Sequence, residues 1–307
     1  MIYKDSKIYI AGHNGMVGSA CWRLLKNEGY SNLIGRSSSD LDLRNQEAVE
    51  EFLKKQQPNV VIDTAARVGG IWANSEYQYQ FLMDNLLIQN NLIKAAHENN
   101  VDKFIFLGSS CIYPKMAPQP LKEEYLLTGP LEESNQWYAI AKIAGVKLIE
   151  SIRNQYNKDF VSLMPTNLYG PGDNYDLKTS HVLPALIRKF HEAKKNKLDQ
   201  VIIWGTGKPL REFLHVDDLA EAVLFSLENK LSASIYNVGS GEEISIKELS
   251  LMIARITGFE GKIVFDPYKL DGTPRKLLDS SKIIKLGWKK TINLYEGIEF
   301  TYKNYLK

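Results

Sequence analysis

Tyr138 and Lys142 are the two side chains of this chain whose types and spacing could do chemistry. Residues four apart lie one above the other on a helix, so both side chains can point into the same pocket. A lysine ammonium beside a phenol favours the phenolate, which lowers the tyrosine pKa from about 10 toward neutrality. A tyrosine tuned in this way can exchange a proton with a sugar or alcohol oxygen. The alternative is that both residues lie on a helix surface without a catalytic role. The surrounding elements must distinguish these two interpretations.

Short apolar strands alternate with helical patterns along the first half of the chain. This alternation predicts an α/β fold with a Rossmann-type, doubly wound parallel sheet, whose ligands bind at the carboxyl ends of the strands. Gly12, Ala65, Ser109 and Thr166 fall at such ends. We therefore expect four loops to converge on one crevice, which Tyr138 would share.

A glycine-rich turn follows the first predicted strand, Lys7 to Ala11. Gly12, Gly15 and Gly18 separate this strand from a helical pattern. Glycines let the backbone turn sharply and approach a pyrophosphate, which binds the free N–H groups at a helix N-terminus. The spacing G-x-x-G-x-x-G matches the dinucleotide fingerprint G-x-G-x-x-G only in part. We predict dinucleotide binding, with a purely structural turn as the alternative.

Arg36 follows the second predicted strand, about 20 residues beyond the glycine turn, where an NAD site places an acidic residue for the ribose 2′-hydroxyl. An arginine followed by serines suits a 2′-phosphate instead, because the guanidinium supplies charge and bidentate donors. We therefore predict NADP(H) as the cofactor. A solvated loop arginine is the alternative.

Length and composition limit the class of protein. The 307 residues suffice for one large α/β domain or for a main domain with a smaller partner. A formal net charge of +2 argues against nucleic acid or an anionic membrane as the main partner. Cys21 and Cys111 form no paired spacing and no zinc motif, which indicates a reducing compartment. Because neither a signal peptide nor an apolar run of about 18 residues is visible, we predict a cytoplasmic protein without a membrane span.

The pattern changes after residue 172, where a polar loop begins. A helix from about 182 to 195, a strand at 200–204 and a small α/β region near the carboxyl end follow. We predict a dinucleotide-binding domain of residues 1–172 and 210–243. Residues 173–209 and 244–307 would form a smaller, discontinuous substrate-binding α/β domain.

The assembled motifs resemble the extended short-chain dehydrogenase/reductase family. The resemblance rests on the glycine turn, on Ser109 before Tyr138-x-x-x-Lys142, and on the segments 167–171 and 211–218. More narrowly, residues 12–18, 108–115, 138–145, 164–171 and 271–276 are similar to the members that act on GDP-4-keto-6-deoxy-D-mannose. The likeness covers nearly the whole chain.

Such members invert C3 and C5 of this sugar and reduce its C4 ketone with NADPH, which yields GDP-L-fucose. Hydrogens next to a ketone are acidic, so each inversion needs a base on one face and an acid on the other. The resemblance implies that Cys111 and His181 are this pair, and their ordinary pKa values of about 8.5 and 6.5 suit proton transfer. A plain buried thiol and a loop histidine are the alternatives.

For the reduction, the resemblance implies that Tyr138 protonates the developing C4 alkoxide. Lys142 would hold the cofactor ribose and lower the phenol pKa. Ser109 would donate a hydrogen bond to the same oxygen and stabilise charge as it forms.

The resemblance also implies which residues bind the two ligands. The cofactor-binding residues are Gly12, Asn14, Gly15, Met16, Val17, Gly18, Arg36, Leu107, Gly108, Tyr138, Lys142, Pro165, Thr166, Asn167, Leu168 and His181. The substrate-binding residues, which supply the cations and the aromatic surface that a GDP moiety needs, are Lys189, Trp204, Arg211 and Asp271. Asn14 and Ser38 depart from the family, whose members often carry arginines there, so we expect weaker discrimination in favour of NADPH.

Three other functions fit parts of the pattern. One is a sister reductase for another GDP-4-keto-deoxyhexose, such as the colitose precursor. Another is a redox-neutral nucleotide-sugar epimerase with a permanently bound cofactor, which the Cys111 and His181 pair disfavours. The third is a redox-sensing regulator that binds NADP without turnover, which Tyr138 and Lys142 disfavour.

The family further implies a homodimer through helices near residues 80–99 and 138–155, although these helices could simply cover the sheet.

Overall fold

The computed structural model describes residues 2–269 and 271–307, and those ranges contain twelve strands and ten α-helices. The strands are Ile8–Ala11 (β1), Leu33–Ile34 (β2), Val60–Asp63 (β3), Lys103–Leu107 (β4), Asp159–Pro165 (β5), Asn167–Tyr169 (β6), Gln200–Trp204 (β7), Leu210–His215 (β8), Ile235–Val238 (β9), Glu243–Ser245 (β10), Lys262–Asp266 (β11) and Arg275–Lys276 (β12). The helices are Met16–Asn27 (α1), Gln46–Gln56 (α2), Ile71–Glu76 (α3), Gln78–Glu98 (α4), Gln136–Tyr156 (α5), Val182–Lys195 (α6), Val216–Glu228 (α7), Ile246–Thr257 (α8), Ser281–Lys285 (α9) and Leu294–Tyr305 (α10).

Six strands form a parallel sheet in the order β2-β1-β3-β4-β5-β9. From β1 the chain moves to β2 on one side and then to β3 on the other, which creates the switch point where open α/β sheets bind ligands. The register pairs Ala11 with Asp63 and Asp63 with Phe106, so neighbouring strands end at the same edge. The predicted α/β class and doubly wound parallel sheet are confirmed.

Helices cover both faces of this sheet, because its strands are apolar on both sides. Successive residues of a strand point to opposite faces. Ile8 and Ile10 of β1 accordingly pack with residues of α1 and α7, whereas Tyr9 and Ala11 pack with residues of α2, α4 and α5. The helix that carries Tyr138 is thereby held against the sheet with α4 beside it.

The carboxyl-terminal half adds a smaller α/β unit. β8 pairs with β6, β10 and β12, and β7 pairs with β11 in a separate two-stranded sheet. Helices α6, α8 and α10 contribute Phe190, Leu249 and Ile298 to a core of their own. This agrees with the smaller unit expected from the sequence.

The exact bounds of the two domains stay a prediction, and two segments lie elsewhere than expected. Residues 210–215, assigned by sequence to the dinucleotide-binding domain, form β8 of the second sheet. Conversely, Ile283 and Trp288 pack against the parallel sheet rather than in the second core. Apolar periodicity shows that an element is buried but not which layer it packs against, which explains both differences.

Candidate active site

The loops after β1, β3, β4 and β5 meet at the carboxyl edge of the parallel sheet, as predicted. Gly12, Ala65, Ser109 and Thr166 are the residues at this edge. A Cβ added to Gly12 would lie only 2.9 Å from the backbone nitrogen of Ala65, so the first two loops approach closely. These four loops form one crevice at the end of the sheet.

The glycine turn has the geometry of a phosphate cradle. Gly12 has a φ of +79°, in the left-handed region that favours glycine, and the Gly15 N–H donates to its carbonyl at 2.9 Å. A Cβ on Gly18 would lie 2.2 Å from the same carbonyl oxygen, so only glycine fits there. Gly15 caps α1 without a side-chain hydrogen bond, and the first turn of α1 has no acidic residue. The free N–H groups of this helix N-terminus therefore suit a pyrophosphate.

Arg36 and Asp40 lie together beyond the end of β2. The Arg36 guanidinium is exposed, donates to the carbonyl of Gly35 at 2.8 Å and lies 5.5 Å from the Phe52 ring. The Asp40 carboxylate accepts a hydrogen bond from the Ser37 hydroxyl at 2.6 Å. Hydrogen bonds from Ser37, with a smaller effect of the Arg36 charge, hold the pKa of Asp40 below its usual range. The region predicted to bind a 2′-phosphate thus includes a negative charge that the motif did not reveal.

The remaining predicted cofactor residues follow the same edge. Leu107 is the last residue of β4. A Cβ added to the next residue, Gly108, would clash with a neighbouring side chain. Thr166 is buried, and it and Asn167 donate to the carbonyl of Glu212 at 3.3 and 2.8 Å. Asn14, Met16, Val17, Pro165 and Leu168 occupy adjacent positions in the glycine turn, the start of α1, β5 and β6.

Tyr138 and Lys142 come from one side of α5, and the tip of Lys142 is buried beneath the crevice. Its Nζ donates to the carbonyl of Leu107 at 2.8 Å and lies 4.6 Å from the centroid of the Phe106 ring. Burial lowers the pKa of Lys142 to about 8, and the negative charge of Asp63 partly opposes this. The structure therefore brings the predicted pair together.

The predicted effect of Lys142 on Tyr138 is wrong. The Lys142 Nζ lies 5.9 Å from the centroid of the Tyr138 ring and gives its hydrogen bond to Leu107. Burial raises the pKa of Tyr138, the nearby Cys111 adds to this, and a hydrogen bond with Ser109 opposes it only in part. Helical spacing shows which face a side chain occupies but not where the tip of a lysine rests. Burial therefore favours the neutral phenol at Tyr138.

Cys111 lies in a short 3-10 turn directly after β4. Its N–H donates to the Ser109 hydroxyl at 3.2 Å. Its sulfur accepts hydrogen bonds from Lys276 Nζ and from the Asn135 amide, both at 3.4 Å. Groups from β12 and from the start of α5 thus meet at this thiol.

His181 immediately precedes α6, and its side chain is exposed to solvent. Many protein atoms nevertheless lie around the imidazole and reduce its hydration. This desolvation lowers the pKa of His181, and the positive charge of Lys276 lowers it further. Lys276 therefore acts on His181 while it contacts Cys111, and Cys111 in turn influences Tyr138. Lys276 thus links the surroundings of the thiol and the imidazole, and Cys111 links those of the thiol and the phenol.

Trp204 presents an aromatic surface at the end of β7, and the residue is 62% exposed. The ammonium groups of Lys189 and Lys269 lie 5.5 and 5.6 Å from its centroid. An aromatic face flanked by cations suits a purine that carries phosphates. Lys269 is not in the predicted set, because no motif marks it.

Arg211 and Asp271 approach each other from β8 and from the segment before β12. Asp271 accepts hydrogen bonds from the N–H and the hydroxyl of Thr206 at 2.9 and 2.6 Å. Burial lowers the pKa of Arg211, and the charges of Asp271 and Glu132 oppose this. Thr273 donates to Glu132 at 3.3 Å. The segment 271–276 therefore connects the second sheet to the crevice.

Three residues of the crevice lie outside the predicted set: Asp63, Asn135 and Lys276. Two of them carry a signal in the sequence. Asp63 places a carboxylate at the end of an otherwise apolar strand, and Lys276 ends one of the segments on which the family resemblance rests. Asn135 has no such signal, because it is an ordinary polar residue before a helix.

The described part of the chain contains neither a metal cluster nor a membrane span. No three His, Cys, Asp or Glu side chains come together to hold a metal ion within residues 2–269 and 271–307. No helix in those ranges is both long and apolar enough to cross a membrane.

Known proteins are similar to this chain over most or all of its length. The family model of the NAD dependent epimerase/dehydratase family matches residues 8–239. The putative GDP-L-fucose synthase 2 of Arabidopsis thaliana is 54% identical over 307 residues, which cover 100% of this chain and 94% of that protein. The GDP-L-fucose synthase of Escherichia coli (strain K12) is 48% identical over 310 residues, which cover 98% of this chain and 97% of that protein.

A solved structure extends the comparison to three dimensions. MlghC, a GDP-mannoheptose C4 reductase from Campylobacter jejuni with NADP bound, is 42% identical, and the match covers 100% of both chains with a TM-score of 0.91. The resemblance drawn from the motifs is thereby confirmed. The chain belongs to the NAD dependent epimerase/dehydratase family, among the extended short-chain dehydrogenase/reductases.

Proposed function

We propose that this chain converts GDP-4-keto-6-deoxy-D-mannose to GDP-L-fucose by inverting C3 and C5 and reducing C4 with NADPH. The observations that carry the proposal are the contact of Lys276 with Cys111 together with its effect on His181, and the effect of Cys111 on Tyr138. Lys276 lies 3.4 Å from the Cys111 sulfur and acts electrostatically on His181. The relatives named GDP-L-fucose synthase support this choice of substrate.

The inversions need one group that removes a proton beside the C4 ketone and another that returns a proton on the opposite face. His181 suits the removal, because its lowered pKa leaves a neutral, basic imidazole at neutral pH. The Cys111 thiol suits the return. The ammonium of Lys276, 3.4 Å from the sulfur, would stabilise the negative charge left there.

The reduction would use Tyr138 and Ser109 at the C4 oxygen. When bound, NADPH supplies the hydride. Burial keeps Tyr138 protonated at neutral pH, so the phenol can donate its proton to the alkoxide as this forms. The same two hydroxyls would stabilise an enolate oxygen at C4 during the inversions, so one crevice can serve both reactions.

Incubation with GDP-4-keto-6-deoxy-D-mannose and NADPH in D₂O tests the proposal. We expect GDP-L-fucose with deuterium at C3 and C5, identified by NMR, and one NADPH oxidised per product. A second candidate is a C4 reductase that leaves C3 and C5 unchanged, which the similarity to a GDP-mannoheptose C4 reductase favours. Oxidation of NADPH without deuterium incorporation would support that candidate, and the absence of both reactions would exclude the two together.

The cofactor that suits this crevice is NADP(H). Asp40 limits the preference of the protein for NADP(H) over NAD(H). The variant Asp40→Asn is expected to bind NADPH a few-fold more tightly and NADH almost unchanged. The reason is that it removes a negative charge beside Arg36, where a 2′-phosphate would lie. Fluorescence titration of the protein with each cofactor measures the change, which should shrink at high salt.

The control for that prediction is Asp42→Asn. Asp42 lies in the same loop but already pairs with Arg44 at 2.9 Å. If both variants bound NADPH with equal affinity, Asp40 would have no part in binding the 2′-phosphate.

We infer that the protein forms a homodimer through the outer sides of α4 and α5. Met83 and Leu87, one turn apart on α4, and Ile140 on α5 remain 37%, 37% and 40% exposed. The variant Leu87→Lys is expected to yield monomers in light scattering, because it buries an unpaired charge in the interface. Leu251→Lys, at an exposed leucine of α8, should keep the wild-type mass. A wild-type mass for both variants would contradict this interface.

The cytoplasm is the compartment that suits this chemistry. Cys21 and Cys111 are both free thiols. A thiol that transfers protons in each cycle works best where it stays reduced.

A further inference from the structure

Asp63 is a buried carboxylate that the proposed reaction does not use. It is the last residue of β3 and is 1% exposed. Its Oδ1 accepts a hydrogen bond from the Ala65 N–H at 3.1 Å. Its Oδ2 is buried and has no hydrogen-bond partner among the residues that the structure describes. Burying a carboxylate in this way costs free energy, so its presence calls for a physical reason.

Asp63 lies on the same face of the parallel sheet as the tip of Lys142. The register pairs Asp63 with Phe106 on the neighbouring strand, and paired residues of parallel strands point to the same face. Lys142 Nζ lies 4.6 Å from the Phe106 ring. The two charged groups therefore share the layer between the sheet and α5. They form no direct hydrogen bond, since Oδ1 of Asp63 accepts from the Ala65 N–H and Oδ2 has no partner among the described residues.

The electrostatics of this layer couple Asp63 to Lys142. Burial raises the pKa of Asp63 to about 6, and the charge of Lys142 opposes the rise. Burial lowers the pKa of Lys142 to about 8, and the charge of Asp63 opposes the fall. The other titratable groups that face Asp63 are Tyr138 on α5 and Tyr9 on β1, and burial raises the pKa of both, so they stay neutral. Each buried charge thus has the other as its counter-charge.

We propose that Asp63 is a positioning residue that keeps Lys142 protonated beneath the cofactor site while leaving its hydrogens free. This inference rests on the proposed reduction, in which Lys142 acts as an ammonium. A direct ion pair would take one of the three ammonium hydrogens, whereas a carboxylate without a direct hydrogen bond stabilises the charge and leaves all three to donate to Leu107 and to a ribose. The unpartnered oxygen is the cost of that arrangement, because buried charges kept for function commonly reduce stability.

The experiment compares the wild type with Asp63→Asn across pH. The kcat/KM for NADPH reports groups of the free enzyme, so its decline at basic pH should follow Lys142. In the wild type we expect this decline near the Lys142 pKa of about 8. In Asp63→Asn we expect it about one pH unit lower or more, because the stabilising charge is gone. Deuterium exchange at C3 and C5 should keep its wild-type pH profile, since Lys142 takes no part in it.

A direct readout of Lys142 supplements the kinetics. In protein labelled with ¹³Cε-lysine, the Lys142 resonance is identified by its loss in Lys142→Met. We expect it to titrate at lower pH in Asp63→Asn than in the wild type. In the wild type alone we also expect a second, smaller inflection near pH 6, where Asp63 takes up its proton. This wild-type inflection tests the proposal even if the variant does not fold.

Two controls separate this role from a structural one. Ser162→Ala removes another buried polar group, on β5, that has no hydrogen-bond partner within the described ranges. It should leave both the kinetic profile and the Lys142 titration unchanged. Identical Lys142 titrations in the wild type and Asp63→Asn, or no wild-type inflection near pH 6, would overturn the proposal. A wild-type protein that never oxidises NADPH would instead overturn the proposed function, so the two failures are distinguishable.

Discussion

Replacing Tyr138 by phenylalanine is expected to abolish NADPH oxidation while C3 and C5 continue to exchange protons with solvent, at a lower rate because Ser109 alone then stabilises the enolate. The variant keeps the ring, which packs edge-on against Phe81 at 6.4 Å, and removes only the hydroxyl. Loss of a general acid typically costs about 10²- to 10⁴-fold in rate. Phenylalanine has no proton to donate, so the C4 alkoxide loses its general acid.

Two measurements on the same sample separate the reactions. Absorbance follows NADPH oxidation, and NMR in D₂O follows deuterium entry at C3 and C5. Tyr156→Phe is the matched control, since Tyr156 ends the same helix with an exposed side chain, and it should leave both rates unchanged. Wild-type NADPH oxidation by Tyr138→Phe would rule out the proposed donor, and a parallel loss of both reactions would show that the hydroxyl is also essential for enolate formation.

Replacing Cys111 by alanine is expected to stop the inversions and leave the reduction. The thiol is the group that Lys276 and Asn135 hold in the crevice, each at 3.4 Å from the sulfur. Without it, one face of the sugar loses its proton donor, and formation of product inverted at C3 and C5 should fall about 10²- to 10⁴-fold. Tyr138 and Ser109 remain, so we expect slow NADPH oxidation and a GDP-6-deoxyhexose that keeps the C3 and C5 configuration of the substrate.

Cys21→Ala is the control for this variant. Cys21 is the other free cysteine of the chain and packs in the core beside the parallel sheet, where burial raises its pKa to about 12. Its replacement should lower the temperature of unfolding without changing the ratio of exchange to reduction. If Cys111→Ala still released GDP-L-fucose at the wild-type rate, the assignment of the thiol to the inversions would be wrong.

Features that depend on neighbouring residues were predictable from the sequence. The turn at Gly12 needs a left-handed φ that glycine provides, and the structure has it. The helix at 182–195 and the strand at 200–204 have the predicted bounds, because a helical or alternating apolar pattern acts over a few residues. Helical spacing likewise determined that Tyr138 and Lys142 share one side of α5. The residues that carry the family resemblance also lie in such local segments.

Only the tertiary structure decided which distant segments meet. Lys276 lies 165 residues from Cys111 along the chain, and β8 joins the second sheet although its apolar pattern would suit either. Pairing between strands depends on packing that no local pattern specifies.

The tertiary structure also decided the charges in the crevice. From its spacing to Lys142, Tyr138 was expected to have a lowered pKa, yet burial raises it. Lys142 and Asp63 acquire pKa values of about 8 and 6 for the same reason. The sequence by itself determined which ionisable groups this protein has and the short segments that carry them. Their protonation depends on how much water the folded chain removes from each group, and that quantity exists only once the layers have packed.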